Sequence, residues 1–255
     1  MLFDAMKNRI LAPCLSLVFV VAAIGTAASA QTADAVVDKH LAALGGREAL
    51  AKLTSRKSTG TVTMSTPGGD VSGPVELLVK APNKTRLLMT IDLTSLGAAA
   101  MTIEQRFDGT VAYATNSMQG ETPISAKQID NMRNAVFPTP LIGYKEKSAK
   151  LELAPNEKVQ GKDAIVLVLT PTTGSPIRLF LDPQTYLVFR TVTTVNSPQL
   201  GGDVEQTTEL SDYRTVDGVK VAFRVVTSNP AQTLTIAMTK VEHNVAIDDA
   251  MFVKK

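Results

Sequence analysis

Two histidines, one cysteine and two carboxylate pairs are the side chains whose types and spacing bear most directly on catalysis or metal binding. A metal site draws on two or three imidazoles at helical or hairpin spacing with carboxylates close by. His40 and His243 lie far apart in sequence and His40 falls on an apolar helical stripe, so both read as incidental and no metal site is expected. Strand alternation places Glu205 and Glu209 on one face, a geometry that can serve acid/base work. No partner base accompanies them, and they read as solvated face residues. Asp248-Asp249 precedes Ala250-Met251-Phe252 and reads as a turn that tucks the aromatic ring into the body. There is no Gly-x-Ser-x-Gly elbow, no Gly-rich loop followed by Lys-Ser/Thr and no Gly-x-Gly-x-x-Gly fingerprint. Nothing in these residues argues for catalysis, a hydrolase of unrecognised type is the lesser alternative, and no cofactor is expected.

The N-terminal residues read as an export signal. Met1 to Arg9 carries Lys7 and Arg9, an apolar run follows from Ile10 through Ile24, and Ala28-Ser29-Ala30 presents a small-x-small cleavage pattern. The run is interrupted and short of the ~20 apolar residues of a spanning helix. Leu11-Ala12-Pro13-Cys14 echoes a lipobox only loosely, because Pro13 sits at the scissile position and the apolar core follows the cysteine. The expectation is a signal peptide over 1–30, cleaved after Ala30, and a single periplasmic domain over 31–255. Cys14 is the only cysteine, so the exported chain has no disulfide and depends on a hydrophobic core. The chain carries 26 Lys and Arg against 24 Asp and Glu, a net charge of +2, which offers no electrostatic footprint for nucleic acid.

The elements that must position these residues follow from periodicity. Ala33 to Leu53 reads as helical, with Val36, Val37, His40, Leu41 and Leu44 on one stripe, Gly45-Gly46 as a C-cap, and a short second helix from Arg47. From Thr54 the period changes to two. Val62 and Met64 alternate with threonines, and Val71, Val75, Leu77 and Val79 share a face. Leu87, Met89, Ile91 and Leu93 continue it, as do Met101, Ile103 and Phe107. One apolar and one wet face is the pattern of an antiparallel sheet. Ser125-Ala126-Lys127-Gln128 is a capping box opening a short helix with Ile129, Met132 and Val136 on its stripe, and Phe137-Pro138-Thr139-Pro140 ends it. Further strands are expected over 149–154, 164–170, 177–182, 187–195, 202–210, 219–227 and 233–242, with hairpin turns at Asp182-Pro183-Gln184-Thr185 and Asp217-Gly218.

Two outcomes are open for the apolar face. It packs as the core of a sandwich, or it curves around a ligand cavity roofed by the helices. Methionines at 64, 89, 101, 118, 132 and 238 would make a compliant wall in the second case.

Several segments carry a resemblance. They are the helix ending His40-Leu41-Ala42-Ala43-Leu44-Gly45-Gly46, Phe107-Asp108-Gly109 with Ala112-Tyr113, and Leu181-Asp182-Pro183-Gln184-Thr185-Tyr186-Leu187 with Arg190. Asp212-Tyr213-Arg214 with Val216-Asp217-Gly218-Val219, and the terminal Ile247-Asp248-Asp249-Ala250-Met251-Phe252, complete the series. In this order they make the chain resemble the outer-membrane lipoprotein-sorting proteins, the LolA/LolB-like superfamily. The resemblance implies a mainly β (α+β) fold: a single curved antiparallel sheet forming an incomplete barrel, with an N-terminal helix and a short lid helix over the concave face. It implies a periplasmic carrier that shields an acyl chain and ferries it between envelope membranes. By position, the lining is drawn from Val75, Leu77, Val79, Leu87, Met89, Ile91, Met101, Ile103 and Phe107, with Ile129 and Met132 on the lid. The implied partners are an acyl lipid or lipoprotein, a membrane-bound donor or acceptor protein, and a transient membrane contact. The chain lacks a tryptophan after the Asp-Gly motif and has Ala222 where relatives often have proline, so lipoprotein and another lipid both stand as cargo.

Overall fold

The computed structural model describes residues 31–66, 69–197 and 201–254, and the signal segment expected over 1–30 lies outside them. The first helix, α1 (Ala33–Leu44), begins where the Thr32 hydroxyl accepts from the Ala35 N–H at 3.1 Å. It ends at Gly45 (φ 128°), where the Gly46 N–H reaches back to the Leu41 carbonyl at 2.8 Å. A Cβ on Gly45 would stand 2.4 Å from the Gly218 carbonyl oxygen, so glycine both caps the helix and lets it press on a strand turn. The buried residues of α1 are Val36, Val37, His40, Leu41 and Leu44, the expected stripe without exception. A second, short helix α2 (Arg47–Ala51) buries Leu50.

The strands of the described residues form one antiparallel sheet. Strands β1 (Ser55–Thr66), β2 (Gly69–Lys80), β3 (Lys84–Ile91), β4 (Met101–Phe107), β5 (Ala112–Asn116) and β6 (Gly120–Thr122) meander outward to one edge. Helix α3 (Ala126–Asn134) and an irregular segment then cross to the opposite edge. From there β7 (Lys150–Val159), β8 (Lys162–Thr170), β9 (Ile177–Leu181), β10 (Val188–Ser197), β11 (Gly202–Val216), β12 (Val219–Asn229) and β13 (Gln232–His243) return, and β13 pairs with β1. Both ends of the chain's sheet thus meet at its centre, while β6 and β7 remain unpaired edges. The 13-stranded sheet does not close, and among the described residues there is no second sheet for a sandwich.

The alternation seen in the sequence becomes rows across the sheet. Val75 of β2 stands opposite Met89 of β3, which stands opposite Ile103 of β4; Leu77 pairs with Leu87, and Ile91 with Met101. This face carries two apolar clusters. One, around Val62, Val71, Val75, Met89, Ile91 and Leu93, lies between strands on the β1–β4 side. The other joins α1 and α2 to Val79, Ile165, Leu167, Leu179, Leu181, Val188 and Val219. Val79 of β2 and Leu167 of β8 belong to one cluster although they lie far apart in strand order, so the sheet curls and this face is concave.

Two features of the convex face were not apparent from periodicity. Strand β8 is apolar on both faces, and its outward Ala164 and Val166 pack with Phe180. Lys162 lies over the Phe189 ring at 4.5 Å and Arg178 over Phe180 at 5.0 Å, so cationic stems cover this patch. On β1–β4 a ladder of charges crosses four strands. Lys57 and Arg86 hold Glu76 at 3.0 and 2.8 Å, and Arg86 and Arg106 hold Glu104 at 2.7 and 2.8 Å.

The C-terminal tail docks beside that ladder as the sequence suggests. Asp248 caps a 3₁₀ turn over Asp249–Met251 by accepting from the Ala250 N–H, and Phe252 is buried to 1% exposure. Lys80 and Lys84 both reach Asp249 at 2.8 Å and hold its carboxyl down at a pKa of about 2. Phe252→Ala is expected to destabilise the fold by about 3–5 kcal/mol, read from urea unfolding followed by circular dichroism. A loss below ~1 kcal/mol would show that the tail is not part of the cooperative unit.

Candidate functional site

A cavity of about 360 Å³ lies between the helices and the concave face. Leu44 of α1, Leu50 of α2 and Leu53 wall it on one side. Leu77 of β2, Ile177 and Leu179 of β9, Val188 of β10, Leu210 of β11, Val225 of β12 and Met238 of β13 wall it on the other. Its volume falls at the lower end of the ~300–1,000 Å³ range of small-molecule sites, and its wall is mostly aliphatic, as such sites are.

The mouth is formed by the segment after α3. Phe137, Leu141 and Tyr144 are buried, and Pro138, Thr139 and Pro140 between them line the cavity. The segment is tied at both ends. The Phe137 N–H donates to the Pro82 carbonyl at 2.8 Å. At its far end the Tyr144 hydroxyl donates to the Asp34 carboxylate on α1, which Lys145 also reaches at 2.8 Å. These two donors hold the Asp34 carboxyl below its ordinary range, with Lys145 the larger contributor. Two prolines and apolar residues read in sequence as an extended connection; only the fold shows them to be a strap across the helix–sheet gap.

The expected lining residues are placed as follows. All nine sheet positions lie on the concave face, with Val75, Val79, Met89, Ile91 and Phe107 buried and Leu77, Leu87, Met101 and Ile103 half-buried. Leu77 lines the cavity, Val79 packs in the helix-covered cluster, and Val75, Leu87, Met89, Ile91, Met101 and Ile103 pack in the β1–β4 cluster. Ile129 and Met132 are half-buried on α3, whose Asn131 is bound to Ser175 at 2.8 Å, and neither lines the cavity. Of the methionines, Met238 lines it and Met118 is 61% exposed. Glu205 and Glu209 point away from it, and Glu209 approaches Arg190 at 3.9 Å.

Sequence reasoning missed the polar part of the wall. His40 and His243, remote in the chain, line the same cavity, together with Arg56, Ser58, Thr191 and Tyr213. The His40 Nδ1–H donates to the Tyr186 carbonyl at 2.8 Å, which fixes its tautomer. Tyr213 donates its hydroxyl to the Val188 carbonyl at 2.6 Å, and burial raises its pKa far above the ordinary phenol value. Arg56 stands directly opposite His243 in the β1–β13 register. Its guanidinium lies over the Phe137 ring at 5.6 Å, and burial alone pushes it down to about 10. Arg56 Nε and His243 Nε2 are both sealed from solvent without a hydrogen-bond partner. His243 Nδ1 lies 3.3 Å from Asp217.

Both imidazoles have pKa values below the ordinary 6.5. Burial is the main cause in each; the Tyr186 carbonyl opposes it at His40, while Asp217 opposes and the Arg56 charge reinforces it at His243. The folded protein therefore binds fewer protons than the unfolded chain once the pH drops below ~6.5, and stability falls with pH from there. The paired carboxylates act in the same direction only at lower pH. Melting temperature is expected to decline between pH ~7 and ~5, and the decline to shrink in a His40→Gln/His243→Gln double variant. A slope unchanged by the double substitution would exclude these two groups as its source.

No protein-family model matches the sequence, and no curated protein matches it. Solved structures do. A putative outer membrane lipoprotein-sorting protein domain from Vibrio parahaemolyticus superposes with a TM-score of 0.53 at 11% identity, covering 86% of this chain and 97% of that one. A LolA superfamily protein from Nitrosomonas europaea gives 0.54 at 13% identity, covering 88% and 98%. A DUF1329 family protein from Desulfovibrio piger gives 0.53 at 13% identity, covering 87% and 97%. The open antiparallel sheet, its covering helices and these matches together show that the chain has the fold seen in LolA superfamily structures.

Proposed function

We propose that the protein is a non-catalytic envelope carrier that shelters an acyl chain or similar apolar ligand in the cavity between α1, the strap and the concave sheet. The observation that carries this reading is a cavity of about 360 Å³ whose wall is mostly apolar, with Leu, Ile and Val the most frequent residues in it. Each buried CH₂ of a ligand is worth ~0.8 kcal/mol over its exposure to water, so a carrier of this kind needs burial and no chemistry. The same trade is reversible when a membrane offers equivalent burial.

The superfamily fold supports the reading, since one of the similar structures is described as a lipoprotein-sorting protein domain. Lipoprotein and free lipid both remain cargo classes, and the export signal expected over 1–30 assigns the carrier to the periplasm. The strap is the element suited to open. Beyond the apolar packing of Phe137, Leu141 and Tyr144, it is held to α1 by the Tyr144–Asp34 hydrogen bond and an exposed Lys145–Asp34 ion pair rather than by strand pairing, and an exposed pair of this type contributes under about 1 kcal/mol. Release then requires a strap with two nearly balanced positions, biased by a membrane or an acceptor protein.

The test is native mass spectrometry of the protein gently purified after export, paired with binding of N-phenylnaphthylamine, an uncharged apolar dye. A co-purifying acyl lipid, and dye fluorescence that Ala222→Phe abolishes while leaving the circular dichroism spectrum intact, are the expected results. Ala222 is chosen because it lines the cavity and is only half-buried. Bare protein mass together with no dye binding would remove the carrier reading and favour an envelope interaction module with a filled core.

A further inference from the structure

The charges in the cavity wall are of one sign. Arg56 and Lys220 line it, and none of its lining residues is an aspartate or glutamate. Lys220 is exposed, so its charge is solvated at no cost to the fold. Arg56 is different. Its Nε is sealed from water and unpartnered, and the Phe137 ring it lies over supplies only a partial counter-charge. His243, 1% exposed at its side chain, faces Arg56 across the strand pair with Nε2 likewise unpartnered.

Buried nitrogen donors without acceptors are costly, and native interiors satisfy nearly all of them. The same molecule shows how it satisfies guanidinium groups elsewhere: Arg86 is held by Glu76 and Glu104, and Arg106 by Glu104 and the Val253 carbonyl. On the convex face the Nε atoms of Arg106 and Arg190 also lack a partner, but each of those guanidinium groups has a glutamate beside it, at 2.8 and 3.9 Å; among the described residues Arg56 is in no ion pair, and it faces the cavity. A ligand carrying its own anion would supply the missing partner.

We propose that Arg56, with His243 opposite it, is a headgroup site, and that the cavity takes a single-chain amphiphile with an anionic head, a carboxylate or phosphate ester. This deepens the carrier reading and rests on it. The guanidinium presents a planar fork that matches either oxyanion. Single-chain cargo follows from the small volume, which leaves little room beyond one chain and its head. With its Nδ1–H directed at Asp217, the neutral His243 ring has an unprotonated Nε2, which becomes a donor when the ring is protonated, and the incoming negative charge favours that protonation. In the empty protein the unpaired Arg56 is a source of instability, as expected of a residue kept for binding rather than folding.

The experiment measures displacement of N-phenylnaphthylamine by dodecanoate, dodecyl phosphate and dodecanol, ligands that share a chain and differ in head charge. The native protein is expected to prefer at least one of the two anions over dodecanol by about tenfold or more, the range for a hydrogen bond to a charged group. Arg56→Met should bring that ratio close to one and raise the melting temperature of the empty protein. Arg56→Lys should keep a reduced preference. Whichever anion binds better identifies the head, carboxylate or phosphate. Equal binding of all three by the native protein, or a preference that survives Arg56→Met, would overturn the headgroup site and leave the carrier intact. Failure of all three to displace a dye that does bind, or failure of the dye itself, would instead count against the cavity as a lipid site, and the headgroup site would fall with it.

Discussion

The structure depends on covering one concave apolar face of a sheet that does not close. Thirteen strands arranged with their two meanders meeting at β1 and β13 leave β6 and β7 as edges. A closed barrel would bury its interior by itself; an open one must borrow cover from elsewhere in the chain. Here the cover comes from α1, α2 and the strap over 137–144. The helix docks through a stripe of five buried residues, and Gly45 allows its end to touch the β11–β12 turn. The β1–β4 half, whose clusters are filled by its own Val, Met and Ile side chains, needs much less.

The cavity is a consequence of this division of labour. Helix α1 and the strap span the gap without filling it, because the helix presents Leu44 and His40 at the rim and the strap presents two prolines and a threonine. Short, rigid side chains at the strap leave a void that long aliphatic ones would occupy. Its wall also holds two of the buried nitrogens that find no partner. Other buried polar groups are matched: Ser55 to the Val245 carbonyl, Tyr213 to Val188, Arg86 to two glutamates. Arg56 and His243 are not matched, and both stand on the cavity.

The convex face follows a different logic. It is wet for most of its extent, but the sheet's curvature spreads the strands there and exposes apolar side chains that the helices cannot reach. The charge ladder over β1–β4, the docked Phe252 and the cationic stems over Phe180 and Phe189 each cover part of that surface. Asp249, one of the carboxylates that invite a catalytic interpretation, is used in this cover, bound to Lys80 of β2 and Lys84 of β3.

Much of the fold was legible by itself in the order of residues. Period-two alternation placed Val75, Leu77, Val79, Leu87, Met89 and Ile91 on one face because a strand's side chains alternate strictly, and the register then kept them in rows. The α1 stripe, its glycine cap, the Ser125–Gln128 capping box and the Phe252 tuck are likewise local patterns that neighbours a few residues apart decide. Short strands β5 and β6, which have no repeated apolar position, were not legible, nor was the extension of β7 past its bulge to Val159. The site was legible in character but not in place. Which part of an apolar face stays open depends on where helix and strap land, and that is set by contacts between residues more than a hundred positions apart, as with Tyr144 and Asp34. For the same reason His40, Arg56 and His243 carried no signal in sequence: nothing local marks them as neighbours. Only the pairing of β1 with β13 and the docking of α1 bring them to one wall.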